Sequence, residues 1–128
     1  MKTISTILAL LLLCGSALAE LHTEVVEYEH EGVTLEGFLA YDSGIEGVRP
    51  GVMVVHEWTG LGDYAKARTE QLARLGYIAF AADIYGKGIR PQNREEASAQ
   101  ATIYRSDRGL MRARAAAGLA VLRQHEFS

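Results

Sequence analysis

Residues 23–30 and 33–41 alternate between apolar and polar positions on either side of Glu31-Gly32, the pattern of a β-hairpin closed by a short glycine turn. Val25, Val26 and Tyr28 are the apolar members of the first run; Val33, Leu35, Gly37 and Leu39 carry the second. Residues 42–49 have two glycines and no period, and read as a loop. Pro50 and Gly51 then open a continuous apolar run, Val52–Val55, as expected of a strand buried on both faces. The period next changes to 3.6. Tyr64, Ala65, Leu72 and Leu75 fall in one arc of a helix over Tyr64–Leu75, with Asp63 as its N-cap and Gly76 at the C′ position. Arg68 falls in the same arc, either as a packed stem with its head in water or as half of an ion pair. Tyr77–Ala82 reads as a second buried strand. Asn93 caps a helix running to about Arg105, with Glu95 and Glu96 in its first turn. Asp107 caps a longer helix in which Leu110, Ala113, Ala117 and Val121 share a face.

The order is therefore β-β followed by β-α-β-α-α. A strand–helix–strand crossover joins parallel strands under a helical layer, so the expected fold class is α/β with a mixed, mostly parallel sheet. In such an alternation a strand should follow the last helix, and none occurs before Ser128. Open α/β sheets bind ligands beyond the carboxyl ends of their strands. Two clusters arrive there: His56-Glu57-Trp58 after the Val52–Val55 strand, and Asp83 to Gly88 after the next one.

The ends and the composition narrow this picture. Lys2, the apolar stretch Ile7–Leu13 and Ala17-Leu18-Ala19 have the layout of a secretory signal peptide over residues 1–19, leaving residues 20–128 as the exported domain. The apolar stretch is too short to span a bilayer. Leu13 before Cys14 is bulkier than lipoprotein processing usually accepts. Cys14 is the only cysteine, so the exported chain has no disulfide and no thiol nucleophile of its own. The expected location is periplasmic or extracellular. A formal charge of −3 over 128 residues gives no electrostatic case for nucleic acid or an anionic membrane.

Gly60-Leu61-Gly62-Asp63-Tyr64-Ala65 matches the G-x-G-x-x-G/A dinucleotide pattern, with Asp83 where a ribose-binding acid would lie. Against it, residues 56–59 separate the glycines from the strand, and Asp63 would set a carboxylate beside a pyrophosphate. An NAD-type oxidoreductase built on Gly60–Ala65 stays open as an alternative, as does a short non-catalytic periplasmic binding protein. His56 and Glu57 have no second close ligand pair, so no metal is expected. His56 reads as an ordinary hydrogen-bonded residue at a strand end. Glu57 is either a solvated loop acid or an active-site carboxylate beside Trp58. Trp58 is core or pocket wall.

Three segments together carry a family resemblance: Val54-Val55-His56-Glu57-Trp58-Thr59-Gly60-Leu61, then Leu75-Gly76-Tyr77-Ile78-Ala79, then Ala82-Asp83-Ile84-Tyr85-Gly86-Lys87-Gly88. In this order and spacing they resemble the dienelactone hydrolase family, a branch of the α/β-hydrolase fold. Arg112–Leu122 resembles the helix that precedes its nucleophile strand. The match covers about residues 24–128 and implies the N-terminal part of an α/β-hydrolase domain, incomplete as it stands. The resemblance implies hydrolysis of a carboxylic ester or lactone, a small-molecule substrate, by a Cys or Ser nucleophile with His and Asp, and no cofactor. The nucleophile sits in a G-x-C/S-x-G elbow in that family, a motif this sequence lacks, so the triad is expected beyond Ser128 and the segment alone is expected to be inactive. Glu57 matches the family's accessory glutamate, which controls the nucleophile, and the Trp58 backbone N–H matches an oxyanion-hole donor. Lys87 stands where the prototype has an arginine that holds the substrate carboxylate; a lysine keeps the charge but loses the planar grip. Tyr85 and, from position only, Arg90 are the other substrate-side candidates. The Val52–Val55 strand would pair with the absent nucleophile strand, so it is expected as an open, aggregation-prone edge, with poor solubility of the segment alone.

Overall fold

A computed structural model describes residues 20–125. The leader expected at residues 1–19, Cys14 included, lies outside the described residues. The elements are β1 (Leu21–His30), β2 (Val33–Asp42), β3 (Gly51–Val55), α1 (Asp63–Arg74), β4 (Ile78–Ala82), α2 (Arg94–Ser106) and α3 (Arg108–Gln124). The β1–β2 hairpin closes through Glu31 and Gly32, both at positive φ (50° and 77°), the two-residue turn that matches strand twist.

The four strands lie in the order β1-β2-β4-β3. The sheet is mixed, as expected, but its balance is not mostly parallel. β3 pairs with β4 in parallel, while β1 with β2 and β2 with β4 are antiparallel. The cause is simple: half of the strands come from the hairpin, and a single helical crossover supplies one parallel pair. β4 is buried at every position. β3 is only partly buried, and Val55 is half-exposed. The strand pattern of β3 is right, but both-face burial needs a neighbour on each side, and β3 has one among the described residues.

Helices cover both faces of the sheet. On one face α1 packs over Phe38, Ala40 and Ala81, with Leu61 and Ala73. On the other, α3 brings Leu122 against Leu39, Ile78, Phe80 and Ala82. Full burial of a side chain the size of Phe80 contributes about 1.5–3 kcal/mol. The buried stripe of α1 is Ala65, Thr69 and Ala73, whereas Tyr64 and Leu75 of the predicted arc are exposed. Small residues face the sheet because the helix lies close on it, so bulk was a poor guide to the inward face. The N-cap of α1 is Gly62, with no side-chain bond; Asp63 is the first helical residue rather than the cap. Arg68 is exposed, bonding Tyr64 Oη and Gln71 Oε1 rather than a carboxylate. At the other end Gly76 N–H and Tyr77 N–H bond the carbonyls of Ala73 and Leu72, the expected αL termination. Asn93 and Asp107 cap α2 and α3 by accepting from Glu96 N–H and Leu110 N–H.

The innermost line of α3 is Arg114, Gly118 and Leu122, next to the expected Leu110–Val121 line, whose members are half-buried. A Cβ at Gly118 would stand 2.6 Å from that of Ala82, so glycine is what lets α3 approach β4.

Candidate active site

β3 and β4 end side by side, and their two carboxyl-terminal turns make the site. After β4, the Asp83 carboxylate is completely buried. It accepts Glu36 N–H at 3.1 Å on one oxygen, and Tyr85 N–H at 3.1 Å and Gly86 N–H at 3.2 Å on the other. Arg90 Nη1 stands 3.7 Å away. Asp83 therefore anchors its own turn to β2 and has no free face for a ribose. The Asp83 N–H is taken by Tyr28 Oη at 3.0 Å, and burial pushes that phenol up to about 12, so it stays protonated. Arg114 reaches across from α3. Its Nη1 donates to the carbonyls of Ile84 (2.7 Å) and Tyr85 (2.9 Å) and to Tyr104 Oη (2.6 Å).

After β3 the chain is more open. Glu57 is exposed and lines two clefts. One, of about 570 Å³, runs past Glu36, Thr59, Lys66, Arg90 and Gln92. The other, of about 560 Å³, is floored by Tyr85 and Tyr104 and lies between Trp58 and the α2–α3 junction. No cation pairs with the Glu57 carboxylate among the described residues. Trp58 is 40% exposed, and its carbonyl accepts from Tyr85 Oη at 2.8 Å. The Trp58 N–H has no acceptor among the described residues. Gly60 turns the chain at φ 83°, and a Cβ there would meet Ile89 O and Pro91 Cδ at 3.3 Å. At Gly60 itself the 89–91 loop leaves no room for a side chain, while Gly62 stays open and the turn from Gly60 to Lys66 lines the first cleft.

The structure brings Glu57, Trp58, Tyr85 and Arg90 together around these clefts. Tyr85 is buried, stacked on Tyr104 with centroids 5.1 Å apart, and acts through its hydroxyl on the Trp58 carbonyl. Arg90 is engaged with Gly86 O, Ile89 O and Glu36 as well as Asp83. Lys87 lies apart. It lines neither cleft, and its ammonium pairs with Glu27 on β1, which holds it above its usual pKa. Sequence reasoning missed Arg114 and Tyr104, and took His56 as ordinary. Asp83 could have been found as a turn anchor, since Asp followed three residues later by Gly is a turn signal. No group of three or more His, Cys, Asp or Glu side chains able to hold a metal occurs among the described residues.

Comparison with known proteins settles what this arrangement belongs to. Residues 35–126 match the model of the dienelactone hydrolase family. The chain belongs to the dienelactone hydrolase family. Protein usf of Aquifex pyrophilus is 37% identical over 65 residues, covering 48% of this chain and 27% of that protein. A protein of Aquifex aeolicus (strain VF5), provisionally named carboxymethylenebutenolidase, is 36% identical over 77 residues, 58% of this chain and 32% of its own length. The crystal structure of P91, a dienelactone hydrolase-like promiscuous phosphotriesterase from metagenomic libraries, superposes with a TM-score of 0.79 at 34% identity, over 84% of this chain and 45% of that one. The chain thus spans about a third or less of these curated relatives and under half of the solved one. The α/β-hydrolase expectation holds for this part of the fold, and both clusters at the strand ends fall inside the matched residues.

Proposed function

We propose that this chain is the oxyanion side of an exported carboxylic-ester or lactone hydrolase, whose Cys or Ser nucleophile, His and Asp lie beyond Ser128. The observation that carries this is the carboxyl end of β3. There a backbone N–H at Trp58 and a carboxylate at Glu57, both without a partner among the described residues, stand on the edge strand of the described sheet, beside two clefts. In acyl transfer the nucleophile adds to the substrate carbonyl, and the oxygen takes up negative charge before the alcohol leaves. A preorganised N–H aimed at that oxygen lowers the barrier, and losing one such donor typically costs about 10²–10³ in kcat. Glu57 holds the nucleophile in the resting enzyme, and its lack of a cation partner among the described residues fits that role. Family membership and the provisional name of the Aquifex aeolicus relative support ester or lactone chemistry. Lys87, tied to Glu27, offers little to a substrate carboxylate, so the dienelactone itself is not part of the proposal. The layout of residues 1–19 supports export.

The test is the protein as its native host exports it, weighed intact and assayed on 4-nitrophenyl acetate and on a simple unsaturated lactone. A mass near twice that of residues 20–128, with turnover of either substrate, is the expected result. A protein of that larger mass that turns over no ester or lactone would sink the proposal. A mass equal to residues 20–128 would also sink it, and would favour a binding role.

A further inference from the structure

One buried titratable group has no part in that chemistry so far. The His56 side chain is 2% exposed, edge-on to Tyr85 with centroids 4.7 Å apart, and both of its ring nitrogens are engaged. A backbone N–H can only donate, so Ile84 N–H at 3.1 Å makes Nε2 the acceptor. The ring proton must then sit on Nδ1, 2.6 Å from the Glu57 carbonyl oxygen, which can only accept. The neutral Nδ1–H tautomer satisfies both contacts, whereas an imidazolium would turn a second N–H against Ile84 N–H. The charged groups facing the ring are Asp83, whose Oδ1 is 3.9 Å from Nε2, and Arg90. Burial holds the ring below its usual pKa, in line with the neutral form.

The Glu57 carbonyl and the Trp58 N–H belong to one peptide group. A trans peptide is planar, so its C=O and N–H point in opposite directions. No cis peptide occurs among the described residues. Gly60 N–H is a second donor to the same carbonyl, at 3.1 Å. Two donors on one oxygen fix the plane of the peptide and so the direction of the N–H at its far end. They also draw charge toward the oxygen, which strengthens that N–H as a donor.

We propose that His56 is the positioning residue of the oxyanion donor: its Nδ1–H holds the Glu57 carbonyl, and thereby aims and polarises the Trp58 N–H. This rests on the hydrolase function proposed above. The clamp reaches deeper, because Ile84, which fixes the tautomer, has its own carbonyl held by Arg114.

The full-length exported protein tests it. His56→Leu removes both ring contacts. His56→Gln keeps an N–H for the Glu57 carbonyl and an oxygen for Ile84 N–H. Loss of the aimed donor should lower kcat about 100-fold in His56→Leu, with KM within about twofold, and His56→Gln should recover at least about tenfold of that loss. An unchanged kcat in His56→Leu, a loss carried by KM, or two folded variants equally impaired would overturn the proposal. Long-range ¹H–¹⁵N NMR of the unmodified protein reads the tautomer without relying on any variant. A proton on Nδ1 and a bare Nε2 are expected, and a proton on Nε2 overturns the clamp. The expected tautomer in a protein that turns over no ester or lactone would overturn the hydrolase function and the oxyanion role together, while the hydrogen-bond clamp stood.

Discussion

The carboxyl ends of β4 and β3 are neighbours in one parallel pair, yet they are built by opposite rules. The turn after β4 is buried from Asp83 to Gly86, and a single carboxylate accepts three backbone N–H groups there. The turn after β3 leaves Glu57 and Trp58 in solvent, and the Trp58 N–H without an acceptor among the described residues. The first turn is a scaffold, and in the function proposed above the second presents the chemistry. The links between them run one way: Tyr85 Oη donates to the Trp58 carbonyl, and Ile84 N–H fixes the His56 ring. A rigid turn thus holds an exposed one in place, which is what a preorganised site requires.

The comparison breaks most visibly at Asp83. Asp83→Asn keeps the shape but replaces one acceptor oxygen by an NH₂ that must face a backbone N–H, and it withdraws the charge opposite Arg90. An uncompensated buried group of this kind costs about 3 kcal/mol. The full-length protein should show a lower urea midpoint at unchanged slope, and activity should fall with it. A midpoint equal to that of the parent would mean that the β4 turn does not anchor the site.

That contrast was only half legible in the sequence. Period and capping residues located every element to within about two residues, because alternation, Asn93, Asp107 and Gly76 act locally. The Glu57-Trp58 cluster was visible because it stands at a strand end, a position with a general meaning in α/β sheets. What was not visible depended on partners far along the chain. Asp83 bonds Glu36 N–H, and Arg114 bonds Ile84, 30 residues away. Nothing local distinguishes Arg114 from Arg112, one buried and the other exposed. Lys87 was placed correctly at the end of β4, but its partner Glu27 lies on β1, and only the hairpin's register brings the two together. The inward faces of α1 and α3 were read only in part: Ala65 of the expected arc does face the sheet, but close approach also selects Ala73 and Gly118 over larger side chains.

A smaller change probes the link itself. Tyr85→Phe keeps the stack on Tyr104 and removes only the hydroxyl that holds the Trp58 carbonyl. One neutral hydrogen bond contributes about 1 kcal/mol, so the urea midpoint should move by about a third of the Asp83→Asn shift. Trp58 is the only tryptophan in this sequence, and its own emission in the full-length protein, isolated by subtracting the spectrum of Trp58→Phe, reports the β3 turn directly. Emission unchanged from the parent would show that the hydroxyl does not restrain Trp58.

The smallest expected effect on stability is at Glu57. Its side chain is exposed and pairs with no cation among the described residues, so Glu57→Gln should leave the unfolding free energy of the full-length protein, read by urea denaturation, within about 0.5 kcal/mol of the parent. Activity should behave in the opposite way. A carboxylate that holds and releases the nucleophile cannot be replaced by a neutral amide, and turnover of 4-nitrophenyl acetate should fall by on the order of tenfold or more. The pairing of outcomes is what matters. Asp83→Asn lowers stability and activity together, as a scaffold residue must, whereas Glu57→Gln should separate them. If Glu57→Gln left both unchanged, Glu57 would be a solvated loop acid, and the exposed turn after β3 would be no more than the end of a strand.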